Sequence, residues 1–594
     1  MLSHKNSHLP SLLRRSMSQA AAHFSSSVLK HGASVLFIIL ITTFVLLNFY
    51  HGEITQHEPL SYDGDSLVVL AHIKASEEGG MMPLFYPVRI KRLNAPDEGL
   101  WSDEPISKFV YWLPSLLSRY VGPFVASTWF VICALCVAGV AFYISALVLG
   151  ADRIPSAVLG VLFALLPYGF VRNLEHLSLT LYFVVPIYIL CLARLWGSAG
   201  ERKSPKEILL MGLAVFVCSL FNPYYWAMFL VLLGYVGIGH LANRNWSGVS
   251  ACVTLGAVAC LGFLIQNADT FYFHWREGPN PIAISRDLWW MIKFGLYLPD
   301  LLLPTTHRLE CFQHLAGAEY HWKIPLQIQG ESQTAYVGII AAVGLVMLVA
   351  GGFVRASANR NKPQSPLFWF ALVVFCFAVV GGANYLLGAM GFQMLRGTNR
   401  YSVFLAALGL LYLAILLSRS SKKKLVLLGT CVLLLPLGLW DQIPKVPAWT
   451  LSQREQASER FKMDHEFFPA MEHSLPKGAS VFELPVHPFP EHGPVNDMGD
   501  YEHFRPYLHT KEMKFSYGTI KGRQPGGWQQ DLDTKKPAEF IAILHDKKFD
   551  VVLINRRAYP DGGKDLAAGL LKNGARQFME NKDFYILSLT KPLG

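Results

Sequence analysis

Long apolar runs recur along most of this chain and constrain its fold more than any other feature. Runs of about 17–25 residues repeat between Ser34 and Trp440, and that length crosses a hydrocarbon core of roughly 30 Å. Inside such a core, backbone polar groups must be satisfied internally, which favours α-helices. The sequence therefore predicts a polytopic α-helical membrane protein with about eleven transmembrane helices.

The predicted transmembrane domain covers residues 34–440, and no comparable run follows it. Asn222-Pro223 interrupts one apolar stretch and predicts a tight turn between two spans. A separate water-soluble domain is therefore expected at 441–594. The predicted spans are approximately 34–50, 122–149, 155–171, 177–195, 208–221, 224–241, 248–266, 335–354, 367–387, 401–418 and 425–440.

The short loops on one side of these spans are rich in Lys and Arg. Such loops stay in the cytoplasm, together with the N-terminal residues 1–33, whose apolar continuation reads as a signal anchor. An odd number of spans then places 441–594 on the outer side, with the loops 51–120 and 267–334. The basic positions are Arg14, Arg15, Lys30, Arg153, Arg194, Arg202, Lys203, Lys206, Arg244, Arg355, Arg360, Lys362, Arg419, Lys422, Lys423 and Lys424.

The net charge of +10 belongs to the membrane part of the chain. Residues 441–594 hold 21 Lys and Arg against 21 Asp and Glu, so the excess lies in residues 1–440. A nucleic-acid-binding domain would carry its own basic face, and nucleic acid is therefore not an expected partner. Basic loops that touch anionic lipid fit this distribution.

The first outer loop opens with two carboxylates that flank a glycine, Asp63-Gly64-Asp65. Such a pair can accept a proton from an attacking hydroxyl, or hold a divalent cation such as Mg²⁺ or Mn²⁺. The alternative is an Asp-Gly turn whose acids cap the next helix. Further along this loop, the amphipathic stretch 106–120 is expected to lie in the membrane interface.

Two further elements of this loop carry a resemblance to a known family. They read Arg92-Leu93-Asn94-Ala95-Pro96 and Trp101-Ser102-Asp103-Glu104-Pro105. With the acidic pair and the many spans, they resemble the bacterial members of the GT-C superfamily of integral membrane glycosyltransferases, although Asn94 stands where glycine is more usual. The resemblance implies catalytic roles for Asp63 and Asp65, and substrate-binding roles for Arg92, Asn94, Trp101 and Asp103.

Ionisable residues at the outer ends of other spans extend this candidate site. Arg172, Glu175 and His176 share one very short outer loop. Ionisable groups close to lipid carry a free-energy cost, so such residues are usually functional. The alternative is headgroup snorkelling by Arg172 and a helix cap. The resemblance places a histidine such as His176 in the active-site cavity.

Arg396 and Arg400 lie just before the tenth predicted span, four residues apart. Arginine binds phosphate through two hydrogen bonds of fixed geometry, so this pair is a candidate clamp for a polyprenyl phosphate. The alternative is interfacial anchoring. Asn222, Tyr224 and Tyr225 either line the same cavity or form a turn with interfacial aromatics.

The C-terminal domain is predicted to be an α/β module with one sheet. Strands are expected at 480–484, 550–554 and 584–589, and helices at 537–546 and 564–573. The long irregular region 485–533 is rich in aromatic and charged residues. Loops of this length are uncommon unless functional, and this one is expected to cover the membrane cavity and help select the acceptor.

The resemblance implies a multi-pass enzyme of the bacterial inner membrane, with its C-terminal domain in the periplasm. Such an enzyme would move a sugar from a polyprenyl-phosphate donor to a cell-surface glycan acceptor of the lipopolysaccharide or O-antigen kind, and direct displacement would invert the anomeric centre. Two other classes stay open. One is a transporter or flippase for lipid-linked saccharides, which would place ionisable groups at the bilayer midplane. The other is a non-catalytic protein of envelope assembly.

Overall fold

A computed structural model describes most of the chain. The described residues are 9–83, 86, 88–103, 107–197, 203–283, 286–304, 307–315, 331–358, 364–420, 424–445, 448–523 and 526–589. Several residues named above lie outside the described residues: Glu104, Pro105, Arg202, Arg360, Lys362, Lys422 and Lys423.

Helices dominate the described residues up to 442, joined by short loops and one small ribbon. The ribbon pairs β1 (Arg89–Ile90) and β2 (Gly99–Leu100) antiparallel. The helices are α1 (Leu9–Phe49), α2 (His51–Thr55), α3 (Gly64–Glu77), α4 (Lys108–Val148), α5 (Arg153–Ala164), α6 (Pro167–Arg172), α7 (Leu177–Thr180), α8 (Val184–Trp196), α9 (Pro205–Cys218), α10 (Pro223–Ala242), α11 (Trp246–Gln266), α12 (Ala268–Glu277), α13 (Trp290–Lys293), α14 (Glu310–His314), α15 (Ile339–Ala358), α16 (Pro366–Ala378), α17 (Ala383–Ala389), α18 (Ser402–Ser420) and α19 (Lys424–Gln442).

Every predicted span coincides with a helix. Among the described residues, eight helical segments are long and apolar enough to cross a membrane: Leu29–Phe49, Lys108–Val148, Arg153–Arg172, Pro223–Ala242, Trp246–Gln266, Ile339–Ala358, Thr398–Arg419 and Lys424–Gln442. The other three predicted spans correspond to α8, α9 and α16, which have 13, 14 and 13 residues. The polytopic helical fold is confirmed, while the count of eleven crossings stays a prediction.

Local sequence explains where one of these helices begins and where another is broken. Asn222 precedes α10, and its side chain accepts hydrogen bonds from the backbone N–H groups of Tyr224 and Tyr225. Pro223 occupies the first helical position, where a missing N–H is tolerated. The tight turn predicted at Asn222-Pro223 is therefore confirmed. A second break lies inside α4, where Gly122 adopts φ 78°, so the amphipathic part after Lys108 and the apolar span have different directions.

The bundle has a buried centre and an exposed edge. The segment Arg153–Arg172 is 89% buried, whereas the apolar window of Leu29–Phe49 is 22% buried. α5 packs between α4, α18 and α19, and α1 lies against α4 and α5 from outside. An apolar helix that exposes most of its surface is suited to contact with lipid.

The C-terminal part begins with the long helix α20 (Ala448–His473), which the sequence patterns did not predict. The elements that follow are β3 (Ser480–Leu484), α21 (Phe504–His509), β4 (Lys514–Phe515), α22 (Pro537–Asp546), β5 (Val551–Asn555), α23 (Lys564–Lys572), β6 (Arg576–Glu580) and β7 (Phe584–Ser588). The strands form a five-stranded sheet in the order β4-β3-β5-β7-β6. β3 pairs parallel with β4 and β5, while β7 pairs antiparallel with β5 and β6.

One buried arginine joins α20 to the sheet. Arg505 on α21 is 1% exposed and pairs with Asp464 of α20 at 2.7 Å and with Asp583 before β7 at 2.8 Å. Glu502 contributes a third carboxylate at 3.2 Å. The Tyr62 hydroxyl of the first outer loop donates to Asp464 at 2.8 Å, so this network also reaches the membrane part.

We expect Arg505→Met to destabilise the protein by about 3–5 kcal/mol, because it leaves buried carboxylates without their shared counter-charge. Arg89→Met is the matched control, since Arg89 and Glu98 form an exposed pair at 3.5 Å, a type worth about 0–1 kcal/mol. Thermal unfolding followed by tryptophan fluorescence measures the difference. Equal unfolding midpoints for the two variants would contradict the role of the network.

Candidate functional site

The acidic pair lies at the start of α3, on the side of the bundle where the C-terminal domain contacts it. Asp63 directly precedes the helix, but its side chain makes no capping hydrogen bond. It accepts instead from the Ser61 hydroxyl at 2.9 Å. The capping alternative raised by the sequence therefore does not describe Asp63, whose carboxylate is exposed to solvent.

Glu175 reaches the same place from the loop between α6 and α7. Its Oε1 lies 3.3 Å from the Ser61 Oγ, so one hydroxyl stands between the carboxylates of Asp63 and Glu175. Burial, together with the negative charges of Asp63 and Asp65, raises the pKa of Glu175 to about 7. At neutral pH the Glu175 carboxyl therefore populates both its protonated and its ionised form.

Asp65 lies among the charged side chains of Glu331, Arg400, Glu491 and Asp500, a region called the recess below, and it makes no hydrogen bond with any described residue. Its side chain is 53% exposed, and its Oδ2 lies 3.8 Å from the His176 Nε2. Enclosure by the recess raises the pKa of Asp65 to about 6, and the charges of Glu491, Asp500 and Glu331 add to this effect. A carboxylate with this pKa is suited to accept a proton near neutral pH.

His176 beside it stays neutral. Burial and the neighbouring guanidinium groups of Arg172 and Arg400 lower its pKa to about 3. A neutral imidazole carries one N–H and one lone pair, and its Nδ1 is buried without a hydrogen-bond partner in the described structure. His176 therefore acts on Asp65 as a neutral dipole, since it carries no positive charge at neutral pH.

Arg172 and Arg400 meet at a shared carboxylate, Glu331. The Glu331 Oε2 lies 2.7 Å from Arg172 Nη2 and 3.1 Å from Arg400 Nη2. Although burial opposes ionisation, Arg400 and Arg172 lower the pKa of Glu331 to about 2. Sequence reasoning missed Glu331. The signal available was its position as the acid directly before the 335–354 span, on the side where the arginines cluster.

Arg396 lies near Arg400 but takes no part in the ion pairs with Glu331. Its guanidinium stacks on Trp290 and Phe294 at 5.0 and 5.1 Å, and it forms no hydrogen bond or ion pair with a described residue. A spacing of four residues would place Arg396 and Arg400 on one face of a continuous helix. The structure instead has two separate 3₁₀ turns, Gln393–Leu395 and Thr398–Tyr401.

The C-terminal domain covers the recess. Glu491 of the region 485–533 pairs with Arg286 of the second outer loop at 2.7 Å. Glu491 and Asp500 lie near enough to raise the pKa of Asp65, and Glu491 also acts on the charge of Arg396. Acids of the C-terminal domain therefore act on both Asp65 and Arg396.

A cavity of about 350 Å³ lies beside Asp63. Its lining includes Ser61, Asp63 and Glu175, but not Asp65. The end of α1, α2, the loop before α3, α6 and the first turns of α20 contribute the rest of its wall. One carboxylate of the acidic pair therefore lines this cavity and the other does not.

The three residues predicted at the turn before α10 have different surroundings. Tyr224 lies under Arg400, with 4.6 Å between the guanidinium and the ring centre. Asn222 is buried and caps α10 while also donating to the Ser178 carbonyl at 3.0 Å. Tyr225 is fully buried, and its hydroxyl donates to the Leu179 carbonyl at 2.7 Å. Only Tyr224 of these three contacts the recess.

Arg92, Asn94 and Trp101 lie in the buried contact with the C-terminal domain and not in the recess. Arg92 donates to the Met513 carbonyl at 2.8 Å and to Thr510 at 2.7 Å. The Trp101 indole, 0% exposed, donates to the Gly518 carbonyl at 2.9 Å. Asn94 adopts φ 65°, and its backbone N–H donates to the Tyr517 carbonyl. A structural role accounts for these contacts.

Asp103 is the centre of a second contact of this kind. Its carboxylate accepts from Arg523 of the C-terminal domain at 2.6 Å, from Asn280 at 2.6 Å and from His274 at 2.9 Å. Although partial burial opposes ionisation, Arg523 and Asn280 hold the pKa of Asp103 below its usual value. Asp103 therefore links both outer loops to the C-terminal domain. Its carboxylate contacts protein side chains here, and its contact with a substrate stays a prediction.

The described residues contain no group of three or more His, Cys, Asp and Glu side chains arranged to hold a metal ion. A divalent cation at the pair Asp63 and Asp65 stays a prediction.

No protein-family model and no curated protein matches this chain, whereas several solved structures do. ArnT from Cupriavidus metallidurans in the apo state has 14% identity and a TM-score of 0.42, over 96% of this chain and 98% of that chain. The Archaeoglobus fulgidus oligosaccharyltransferase with zinc and sulfate has 12% identity and a TM-score of 0.41, over 92% and 72%.

A third similar structure is arabinofuranosyltransferase AftD from mycobacteria, with 14% identity and a TM-score of 0.43. The alignment covers 93% of this chain but 41% of the AftD chain. All three are GT-C membrane glycosyltransferases, the superfamily that the loop motifs resemble. Because their TM-scores lie below 0.5, a function for this chain has to rest on its own site. The fold and site define a polytopic helical membrane protein with an α/β domain over an acidic, arginine-lined recess.

We expect Asp103→Ala to loosen the C-terminal domain, because Arg523 loses the carboxylate that holds it. Limited proteolysis of the full-length protein should be at least about tenfold faster within 278–286 or 516–523, since about 1.4 kcal/mol changes an open population tenfold. Asp97→Ala in the same loop is the control, because Asp97 is exposed. Equal cleavage rates for the two variants would show that the contact does not hold the domain.

Proposed function

We propose that this protein is a GT-C glycosyltransferase that moves a sugar from a polyprenyl-phosphate donor to a cell-surface glycan acceptor. One observation supports this most directly. Asp65, with no hydrogen bond to a described residue and a pKa of about 6, lies close enough to Arg400 to interact with its charge, and Arg400 lies close to Arg396. A proton acceptor beside cations at the outer ends of apolar helices suits transfer from a lipid-linked phosphate.

The arginines would bind the donor phosphate. Arg396 has no acidic partner among the described residues, and its guanidinium is held flat against Trp290 and Phe294. It is therefore free to offer two N–H groups to one phosphate. Arg400 is already paired with Glu331, so it would position the site and add positive charge while Arg396 makes the main contact.

Asp65 would act as the general base. The acceptor hydroxyl gives its proton to the Asp65 carboxylate as its oxygen forms a bond to the anomeric carbon. The bond between that carbon and the phosphate oxygen breaks, and polyprenyl phosphate leaves with the electron pair. Direct displacement of this kind inverts the anomeric centre. The arginines stabilise the charge that develops on the leaving phosphate.

The orientation of the chain supports a reaction on the outer face of the bacterial inner membrane. The basic short loops favour a cytoplasmic N-terminus and a periplasmic C-terminal domain, and the site lies on the side of that domain. A glycan acceptor of the lipopolysaccharide or O-antigen kind is part of this proposal. The described ionisable groups of the site lie at helix ends, which favours surface chemistry over transport through the bilayer midplane.

We expect kcat/KM to rise tenfold per pH unit below about pH 6 and to level off above pH 7, because Asp65 accepts a proton only when ionised. Asp65→Asn should lower the rate by about 10²–10⁴-fold and abolish this limb. Glu175→Gln is the control and should keep the limb near pH 6. Loss of the limb in Glu175→Gln with retention in Asp65→Asn would assign the base to Glu175.

We expect Arg396→Gln to raise the KM for the donor by about 10–100-fold, because a charged hydrogen bond worth about 1.5–3 kcal/mol is lost. Arg276→Gln is the matched control, since Arg276 is exposed on the same side and pairs with Glu277. Purified protein in nanodiscs is assayed with a panel of polyprenyl-phosphate sugars. Unchanged KM in Arg396→Gln would remove the proposed phosphate contact, and lipid flipping without sugar transfer would favour a flippase.

A further inference from the structure

A small cavity lies at the end of the bundle away from the candidate site. Its volume is about 170 Å³, and residues of α4, α8, α15, α16 and α18 or of their ends line it. Two of these residues are cations, Arg355 in the last turn of α15 and Arg419 in the last turn of α18. Its other polar side chains are the hydroxyls of Ser365 and Tyr412, and its described lining contains no acid.

Close packing of α15 against α18 brings the two arginines to one level. Both helices begin on the side of the candidate site and therefore run in the same direction. They touch at Gly344 and Gly409, where a side chain on either glycine would collide with the backbone of the other helix. Arg355 follows Gly344 by eleven residues, and Arg419 follows Gly409 by ten. Both arginines therefore lie about 15–17 Å beyond the contact.

The charges of these arginines are not offset by a described carboxylate. Neither guanidinium forms an ion pair or a hydrogen bond with a described residue, and both side chains are exposed. The backbone N–H of Asp152 donates to Ser418 at 2.7 Å, but Asp152 neither lines the cavity nor pairs with Arg419. Two like charges that share a wall repel each other, so an anion between them is favoured.

The donors around the cavity suit a phosphate group. Guanidinium groups bind phosphate oxygens through pairs of N–H donors at fixed geometry. The Ser365 hydroxyl makes no capping hydrogen bond to α16, so it is able to donate to a remaining oxygen, as is the Tyr412 hydroxyl. The N-terminus of α16, a helix of 13 residues, adds partial positive charge beside Ser365.

The position of the cavity in the membrane part favours a lipid over a soluble anion. α18 has 19 residues and is about 28 Å long, so Arg419 lies about one hydrocarbon thickness from the other end of the helix. On α15, Val343, Met347 and Val354 are 48%, 41% and 64% exposed. Their spacings of four and seven residues place them on one helix face, which suits acyl chains beneath a headgroup at the arginines.

We propose that this cavity binds the headgroup phosphate of an anionic phospholipid in the leaflet opposite the C-terminal domain. Arg355 and Arg419 hold the phosphate, and the acyl chains lie along α15. A zwitterionic headgroup would bring its own cation beside these arginines, where the described lining offers no acid, so the site selects lipids of net negative charge. The inference is independent of the proposed glycosyl transfer, because the cavity lies at the end of α18 away from Arg400.

Lipid titration of the full-length protein in detergent micelles, read by native mass spectrometry, tests this without using activity. The probes are phosphatidylglycerol and phosphatidylcholine with the same acyl chains. We expect phosphatidylglycerol to bind at least about fivefold more tightly. Arg355→Gln/Arg419→Gln should weaken its binding at least about tenfold, a change of about 1.4 kcal/mol, and should leave phosphatidylcholine binding unchanged.

Arg194→Gln/Lys206→Gln is the matched control, because it removes two positive charges at the same end of the bundle. Arg194 already pairs with Glu207 at 2.8 Å, and neither Arg194 nor Lys206 lines the cavity. Equal affinities of the two double variants for phosphatidylglycerol would overturn the site. Equal binding of the two lipids by the wild type would do the same. Displacement of phosphatidylglycerol by inorganic phosphate at equal concentration would assign the cavity to a soluble anion instead.

Thermal unfolding separates loss of the site from loss of the fold. Phosphatidylglycerol should raise the unfolding midpoint of the wild type and of the control, but not that of Arg355→Gln/Arg419→Gln. If this double variant is unfolded without lipid, Arg419→Gln alone takes its place, with at least about a threefold loss of affinity expected, roughly 0.7 kcal/mol. An equal rise of the midpoint in the arginine variant and the control would contradict the proposal.

Discussion

The contact between the first outer loop and the C-terminal domain is the constraint on which the site depends. Asp103 accepts from Arg523, Asn280 and His274, and Arg92 donates to Met513 and Thr510. Removing one partner of a buried charge leaves the other uncompensated, so these bonds hold the domain in one position. That position brings Glu491 and Asp500 to the recess of Asp65. A loop that was loose at this contact would leave the recess uncovered.

Acidic and basic side chains reach the recess from different elements of the fold. The acids come from the loop before α3, from Glu175 and from the C-terminal domain, whereas Arg172 and Arg400 come from the ends of helices on the same side of the bundle. Glu331 holds Arg172 and Arg400 together, so like charges can share a small space. Arg396 is left available beside aromatic rings. The raised pKa of Asp65 and the lowered pKa of Glu331 are consequences of the same separation.

Predictions from the sequence succeeded where one physical signal dominates. Helices formed at all the apolar runs, and β3 and α22 have the predicted bounds, because strong periodicity specifies local structure. Asp65, His176 and Arg400 were placed on one side by topology, and they lie close enough to interact electrostatically. The patterns missed α20, whose apolar residues show little periodicity. They also grouped Arg92 and Asp103 with the substrate, because a motif does not reveal which partner satisfies a polar side chain.

The sequence by itself determined the many apolar helices, the separate α/β domain and the collection of ionisable groups at the ends of the spans. Length, hydropathy and charge act locally along the chain, so they can be read without a structure. Only the tertiary structure decided that Asp63 lines a cavity that Asp65 does not line, that Glu331 joins two arginines, and that Trp101 is buried in an interface. Each of these depends on contacts between residues far apart in the chain, such as the 69 positions between Glu331 and Arg400, and no local pattern encodes such contacts.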